Sequence, residues 1–132
     1  MHIERIRPEG LVHSPAFSHV AVVPAGATTI YVGGQNSVAV DGSLVGEGDV
    51  AALSTRALEN AKTALAAAGA TIEDVVQWTV LFVDGVDLAA AYGAIAPALA
   101  SDEPALVTGA RVAGLGVPGP LVEIGAVAAI VR

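Results

Sequence analysis

Between Asp49 and Gly69 the sequence leaves little choice of local structure. Leu53, Ala57, Leu58, Ala61, Leu65 and Ala68 recur at the spacing of one helix face, while Thr55, Arg56, Glu59, Asn60, Lys62 and Thr63 fill the remaining surface. Asp49 supplies an N-cap acceptor, and Gly69 falls where a left-handed C-cap belongs. Glu59 and Lys62 are one turn apart, so their pairing adds a small stabilisation. A helix this amphipathic needs a surface for its apolar stripe.

The flanking sequence reads as strands. Ile3 to Arg7 is short and strand-like, and Pro8 and Gly10 end it. Phe17 to Val23 and Thr29 to Val32 are joined by the turn Pro24-Ala25-Gly26, which reads as a hairpin. Val38-Ala39-Val40 gives a further short strand before the Asp41-Gly42 turn. Val75 to Val83 is a long strand. Simple alternation puts Val76, Trp78, Val80 and Phe82 on one face, and Val75, Gln77, Thr79, Leu81 and Val83 on the other. The Trp78 face is the more apolar and is assigned to the helices. Asp87 caps a second helix with the stripe Leu88, Ala91, Tyr92, Ile95 and Leu99, which Pro97 kinks or shortens. Ala105 to Val112 and Leu121 to Val131 are two final strands, joined by the Gly/Pro-rich run from Gly114 to Pro120. Strands separated by helices indicate crossovers on one face of a mixed sheet. The expected class is α+β, a two-layer fold with two helices on one face, in one domain spanning 1–132.

Composition bounds the function. The chain is 54% hydrophobic and only 14% charged, which is apolar for a small domain with much surface to cover. Part of that surface is expected to be buried against other subunits. A membrane span is the rival account, and it fails because no stretch of about 18 apolar residues runs unbroken. The N-terminal residues show no signal-peptide pattern, so the expected location is cytoplasmic. Six basic against thirteen acidic residues give a formal charge of −7. The cations Arg5, Arg7, Arg56, Lys62, Arg111 and Arg132 form no patch of the kind that binds nucleic acid. The absence of cysteine excludes disulfides, thiol catalysis and Cys-ligated metal. No cofactor is called for.

Several segments resemble the Rid (YjgF/YER057c/UK114) family in order and spacing. They are Ser14-Pro15-Ala16-Phe17-Ser18-His19, Tyr31-Val32-Gly33-Gly34-Gln35, Gly48-Asp49-Val50 leading into Thr55-Arg56-Ala57-Leu58-Glu59-Asn60, and Ala67-Ala68-Gly69-Ala70. Asp74-Val75-Val76 with Thr79-Val80, then Pro104-Ala105, and Val117-Pro118-Gly119 with Leu121-Val122-Glu123-Ile124 complete the set. The resemblance implies a chorismate-mutase-like fold and a homotrimer with small-ligand clefts between subunits. Active members hydrolyse enamines and imines such as 2-aminoacrylate to a ketoacid and ammonia. There an arginine after the Pro-Ala pair grips the substrate carboxylate through two charge-assisted hydrogen bonds. A water then attacks the imine carbon.

This chain departs from that pattern. Leu106 follows Pro104-Ala105 and supplies no donor. Phe17 stands where the family often has tyrosine, Gly33 where serine is common, and Ala89 at a polar position of the second helix. Thr108 lies two beyond Leu106, where a small polar residue or cysteine is usual. These five line the ligand cleft that the resemblance implies. The acidic residue of the last strand survives as Glu123, the candidate catalytic group. Glu123 reads either as a cleft carboxylate that orients water or as an interface acid satisfied by backbone or solvent. Arg111 is five residues from Leu106, so a regular strand turns it to the opposite face, and only a bulge near Gly109 would bring it back.

The other polar residues point mostly to structure. Arg5 and Arg7 are expected on a solvated terminal strand. His13 and His19 lack the partners of a metal site. Trp78 is most simply core. Gly33-Gly34 serves close strand packing more readily than anion binding, because no helix starts behind it. Ser14, Ser18 and Ser37 have no nucleophile motif around them.

Overall fold

The computed structural model describes residues 2–131, so Arg132 lies outside the described residues. Among these residues six strands and three α-helices follow in the order β1 (Glu4–Ile6), β2 (Val20–Val22), β3 (Thr28–Gln35), α1 (Val50–Ala67), β4 (Val75–Val83), α2 (Leu88–Gly93), α3 (Ala96–Leu99), β5 (Leu106–Val112) and β6 (Val122–Ile130), with a single 3-10 turn, Ile72–Asp74, leading into β4. The main sheet has the order β3-β6-β4-β5. Only the β4–β5 pair is parallel, and the chain between those strands carries α2 and α3. The sheet is therefore mixed, with its helices on one face, as the α+β reading expected.

The long helix forms where periodicity placed it. Asp49 accepts a hydrogen bond from Ala52 N at 3.2 Å. At the other end Gly69 has φ +78, and Ala70 N donates back to Leu65 O at 3.0 Å, closing the helix with a left-handed residue. Leu53, Ala57, Leu58, Ala61 and Leu65 are buried. Ala57, Leu58, Ala61 and Leu65 share one core with Trp78, Val80 and Phe82 of β4 and Val122, Ile124 and Ala126 of β6. The second helix is split. Asp87 caps α2 by accepting from Ala90 N at 3.2 Å, and Pro97 lies in the first turn of the separate α3. Proline tolerates that first turn but not a helix interior.

Two strand expectations change. Val75 is fully buried while Val76 is half-exposed. The register advances from Val75 opposite Ala128 to Gln77 opposite Val127, so Val76 is an extra, bulged residue. The bulge reverses the faces of the strand's first two residues. The expected hairpin of the second and third strands is also absent. β2 pairs with β1 in a separate two-stranded ribbon, and β3 pairs with β6. Val20 and Val22 are 43% and 48% exposed, whereas Ile30 and Val32 pack against the core. The demand for burial on β3 outweighs the turn that precedes it. Val38 forms only an isolated bridge with Leu44.

Arg5 and Arg7 are not solvated ornaments of a terminal strand. Arg5 Nη2 donates to Glu73 O at 2.9 Å and Val75 O at 2.8 Å. Arg7 donates to Ser14 O at 3.1 Å and Asp102 O at 2.8 Å. Three carbonyls of later segments, those of Glu73, Val75 and Asp102, thus tie down the β1–β2 ribbon, and the Ser14 carbonyl braces its connecting loop. Hydrogen bonds to a charged donor contribute roughly 1.5–3 kcal/mol. Arg5→Met is expected to lower unfolding stability by about 2 kcal/mol, read from urea denaturation at unchanged m-value. A loss within experimental error would show that the ribbon is held by its strand pairing alone.

Candidate functional site

Glu123 sits in β6 between Val122 and Ile124, both turned into the core. Strand alternation sends Glu123 to the sheet face that no helix covers. Its carboxylate crosses the backbone of Gly34. A Cβ at Gly34 would fall 2.5 Å from Glu123 Cδ and Oε2 and 2.8 Å from Cγ. The β3–β6 register shifts between Val32 and Gln35, the stretch that holds Gly33 and Gly34. Gly33 has open space where its Cβ would lie, and Gly125 has Val32 O at 3.5 Å from its own. These three glycines floor a cavity of about 330 Å³, walled by Tyr31, Thr79, Leu81 and Val127, with Glu123 as its only ionisable carboxylate. No ion pair reaches that carboxylate among the described residues.

The loop behind this floor is held from α1. Asn60 Nδ2 donates to Asn36 O at 2.7 Å and Val38 O at 2.9 Å. Arg56 Nε donates to Asn60 Oδ1 at 3.0 Å, which fixes the orientation of the amide. Helix α1 thereby sets the path of the chain as it leaves Gly33-Gly34-Gln35.

Leu106 and Thr108 also face the uncovered side. They stand in register with Gln77 and Thr79, and Gln77 Nε2 donates to Thr108 Oγ1 at 3.3 Å. The β4–β5 register runs unbroken from Gln77–Leu106 to Val83–Val112. No bulge therefore turns Arg111 toward Leu106. Arg111 is beside Phe82 on the helix side, where its Nη1 donates to Val86 O at 3.3 Å and lies 4.0 Å from Asp84 Oδ1.

Phe17 is elsewhere again. Ser18 N donates to Ala105 O at 3.2 Å, so this segment runs beside the start of β5. The Phe17 ring meets His19 edge-on at 5.4 Å, and His19 Nε2 is bonded to Val12 O at 2.8 Å. Phe17 lines a second cavity, of about 580 Å³, with Phe82, Leu88, Tyr92, Val107 and Arg111. Ala89 is exposed on the first turn of α2 and borders neither cavity, whereas Tyr92, one turn on, lines the second. Burial pushes the Tyr92 hydroxyl above the usual phenol range, so it is a protonated donor at neutral pH. Trp78 is core, and with Arg5 it borders a third cavity of about 370 Å³. No group of three or more His, Asp or Glu among the described residues is arranged to hold a metal ion. No described helix is long and apolar enough to cross a membrane.

Gly34 and Gly33 give a paired prediction. In Gly34→Ala the flexible end of Glu123 must move off the backbone, while Gly33→Ala leaves it in place. Stability is expected to change by less than about 1 kcal/mol in both, since the displaced group is a side-chain end. Only Gly34→Ala should shift the Glu123 side-chain resonances in a carboxylate-detected NMR experiment. Equal shifts in the two variants would contradict the close approach.

A sequence model described as Endoribonuclease L-PSP matches residues 11–130. The solved structure of a conserved Rid family protein of unknown function, YyfB from Yersinia pestis, is 32% identical over 98% of this chain and 100% of that one, with a TM-score of 0.86. A putative endoribonuclease from Thermotoga maritima is 25% identical over 96% of this chain and 93% of that one, with a TM-score of 0.70. A YjgF/YER057c/UK114 family member from Mycobacterium tuberculosis is 25% identical over 98% and 100%, with a TM-score of 0.60. No curated protein matches significantly.

Proposed function

The chain belongs to the Rid family, whose sequence model is described as Endoribonuclease L-PSP, and on that premise we propose a homotrimer that binds a small, fairly apolar organic molecule in clefts between subunits. One observation carries the reading. Gly33 and Glu123 sit at the β3–β6 side of the sheet, and Phe17 sits beyond β5 at the other margin. A single protomer does not unite them. A second copy that lays its β5 margin against the first copy's uncovered face would do so, and it would also cover Tyr31, which is 80% exposed in one protomer.

The chemistry follows from what the cleft holds. Glu123 is a carboxylate able to orient an attacking water and take its proton. The substrate class is an imine, enamine or related C–N or carbonyl compound. Leu106 offers no grip on a substrate carboxylate, and the unbroken β5 register leaves Arg111 on the other face. Amino-acid-derived imines therefore bind poorly on this side. Ribonuclease activity, which the family's description suggests, fits badly with a net charge of −7. A non-catalytic binding module is the second reading. It is favoured by the lack, among the described residues, of an ion-pair partner that would tune Glu123.

Light scattering should give the mass of three protomers. Turnover of 2-aminoacrylate should be far below that of an arginine-bearing relative, and Leu106→Arg should raise it at least about tenfold, the worth of one charged hydrogen bond. A wild-type rate equal to the relative's would overturn the reading. Any hydrolysis found should vanish in Glu123→Gln. Ligand affinity left intact by that substitution, with no turnover in either protein, selects the binding module.

A further inference from the structure

The second cavity has the make-up of a ligand site in its own right. Its wall is apolar: Phe17, Phe82, Leu88 and Val107 supply most of it. Phe82 and Tyr92 meet edge-on at 6.4 Å, which fixes both rings. At about 580 Å³ it is of a size that encloses most of a small organic molecule. Two polar groups border it, Arg111 and Tyr92. All of these residues come from one protomer.

Arg111 differs from the other described cations in what it has left to donate. Arg5 and Arg7 each give two hydrogen bonds to backbone carbonyls. Arg56 is bonded to Asn60, and Lys62 is paired with Glu59 at 3.1 Å. Arg111 holds one carbonyl at 3.3 Å and stands 4.0 Å from Asp84, whose side chain is 78% exposed. A contact that long and that wet contributes little. The remaining guanidinium donors have the planar fork that matches a carboxylate.

We infer that this cavity binds a carboxylate with a compact aromatic or branched apolar body, the body among Phe17, Phe82 and Leu88 and the carboxylate on Arg111 with Tyr92 as a second donor. The chain thus places an arginine on the helix side of β5 while Leu106 leaves the uncovered side without one. Of the residues assigned to the ligand above, this site shares only Phe17. It stands whether or not Glu123 takes part, and it does not require a trimer.

The test titrates the full chain with 3-phenylpropionate and its neutral amide, 3-phenylpropionamide, following chemical shifts at Phe17, Tyr92 and Val107. The acid is expected to bind about tenfold more tightly than the amide, the value of a charge-assisted contact. Arg111→Met should remove that preference and leave amide binding unchanged. Tyr92→Phe should weaken the acid by a smaller factor, about threefold. Equal binding of acid and amide to the wild type, or an acid preference that survives Arg111→Met, overturns the inference. Absence of shifts at these residues overturns it as well. A monomeric mass would defeat the trimer reading and leave this result untouched.

Discussion

Val80 and Ile124 lie directly opposite each other at the centre of the sheet, and neither keeps any exposed surface. Trp78 opposite Ala126 and Phe82 opposite Val122 extend the same buried ladder. Burial of each large side chain contributes roughly 1.5–3 kcal/mol. Slippage of β6 by one residue would turn Val122, Ile124 and Ala126 out of the core and drive Glu123 into the helices. The apolar side of this pair therefore holds the acid on the other side. The core decides where this carboxylate of the uncovered face stands, and no ion pair among the described residues anchors it.

Features set by local periodicity were legible in the sequence. The span of α1, its two caps and the span of β4 follow from spacing and cap residues. Features set by long-range pairing were not. The Val76 bulge breaks the alternation of β4 within the pair Val75-Val76, two identical side chains, so nothing local marks which of them is the extra residue. The β2 and β3 segments look like a hairpin because their turn is good, yet β2 pairs back with β1 and β3 finds its partner in β6, far along the chain. Arg5 and Arg7 bond carbonyls that lie up to 95 residues away, and such acceptors leave no trace in composition.

The same division runs through the site. Glu123 is conspicuous as the lone charge in an apolar strand, and parity along β5 places Arg111 opposite Leu106. Gly34 becomes meaningful only once β3 is known to lie on β6. Tyr92 belongs to a helical stripe that reads as plain core, and only the packing of Phe17 against β5 reveals the cavity beside it. Of the residues that resemblance groups together, Gly33 and Glu123 line one cavity, Phe17 lines another on the helix side, and Leu106, Thr108 and Ala89 line neither. That division is what lets one small fold hold an acid on one side and an arginine on the other.

The close approach of Glu123 to Gly34 also constrains how this sequence can drift. The two positions share a single volume. A side chain at 34 is compatible with a short residue at 123, and a glutamate at 123 keeps its place only beside glycine. Changes at one position are thus permitted in an order set by the other, with the acid shortened before the glycine is filled. Among relatives of this chain, the pair should vary together, although 89 positions separate them along the backbone.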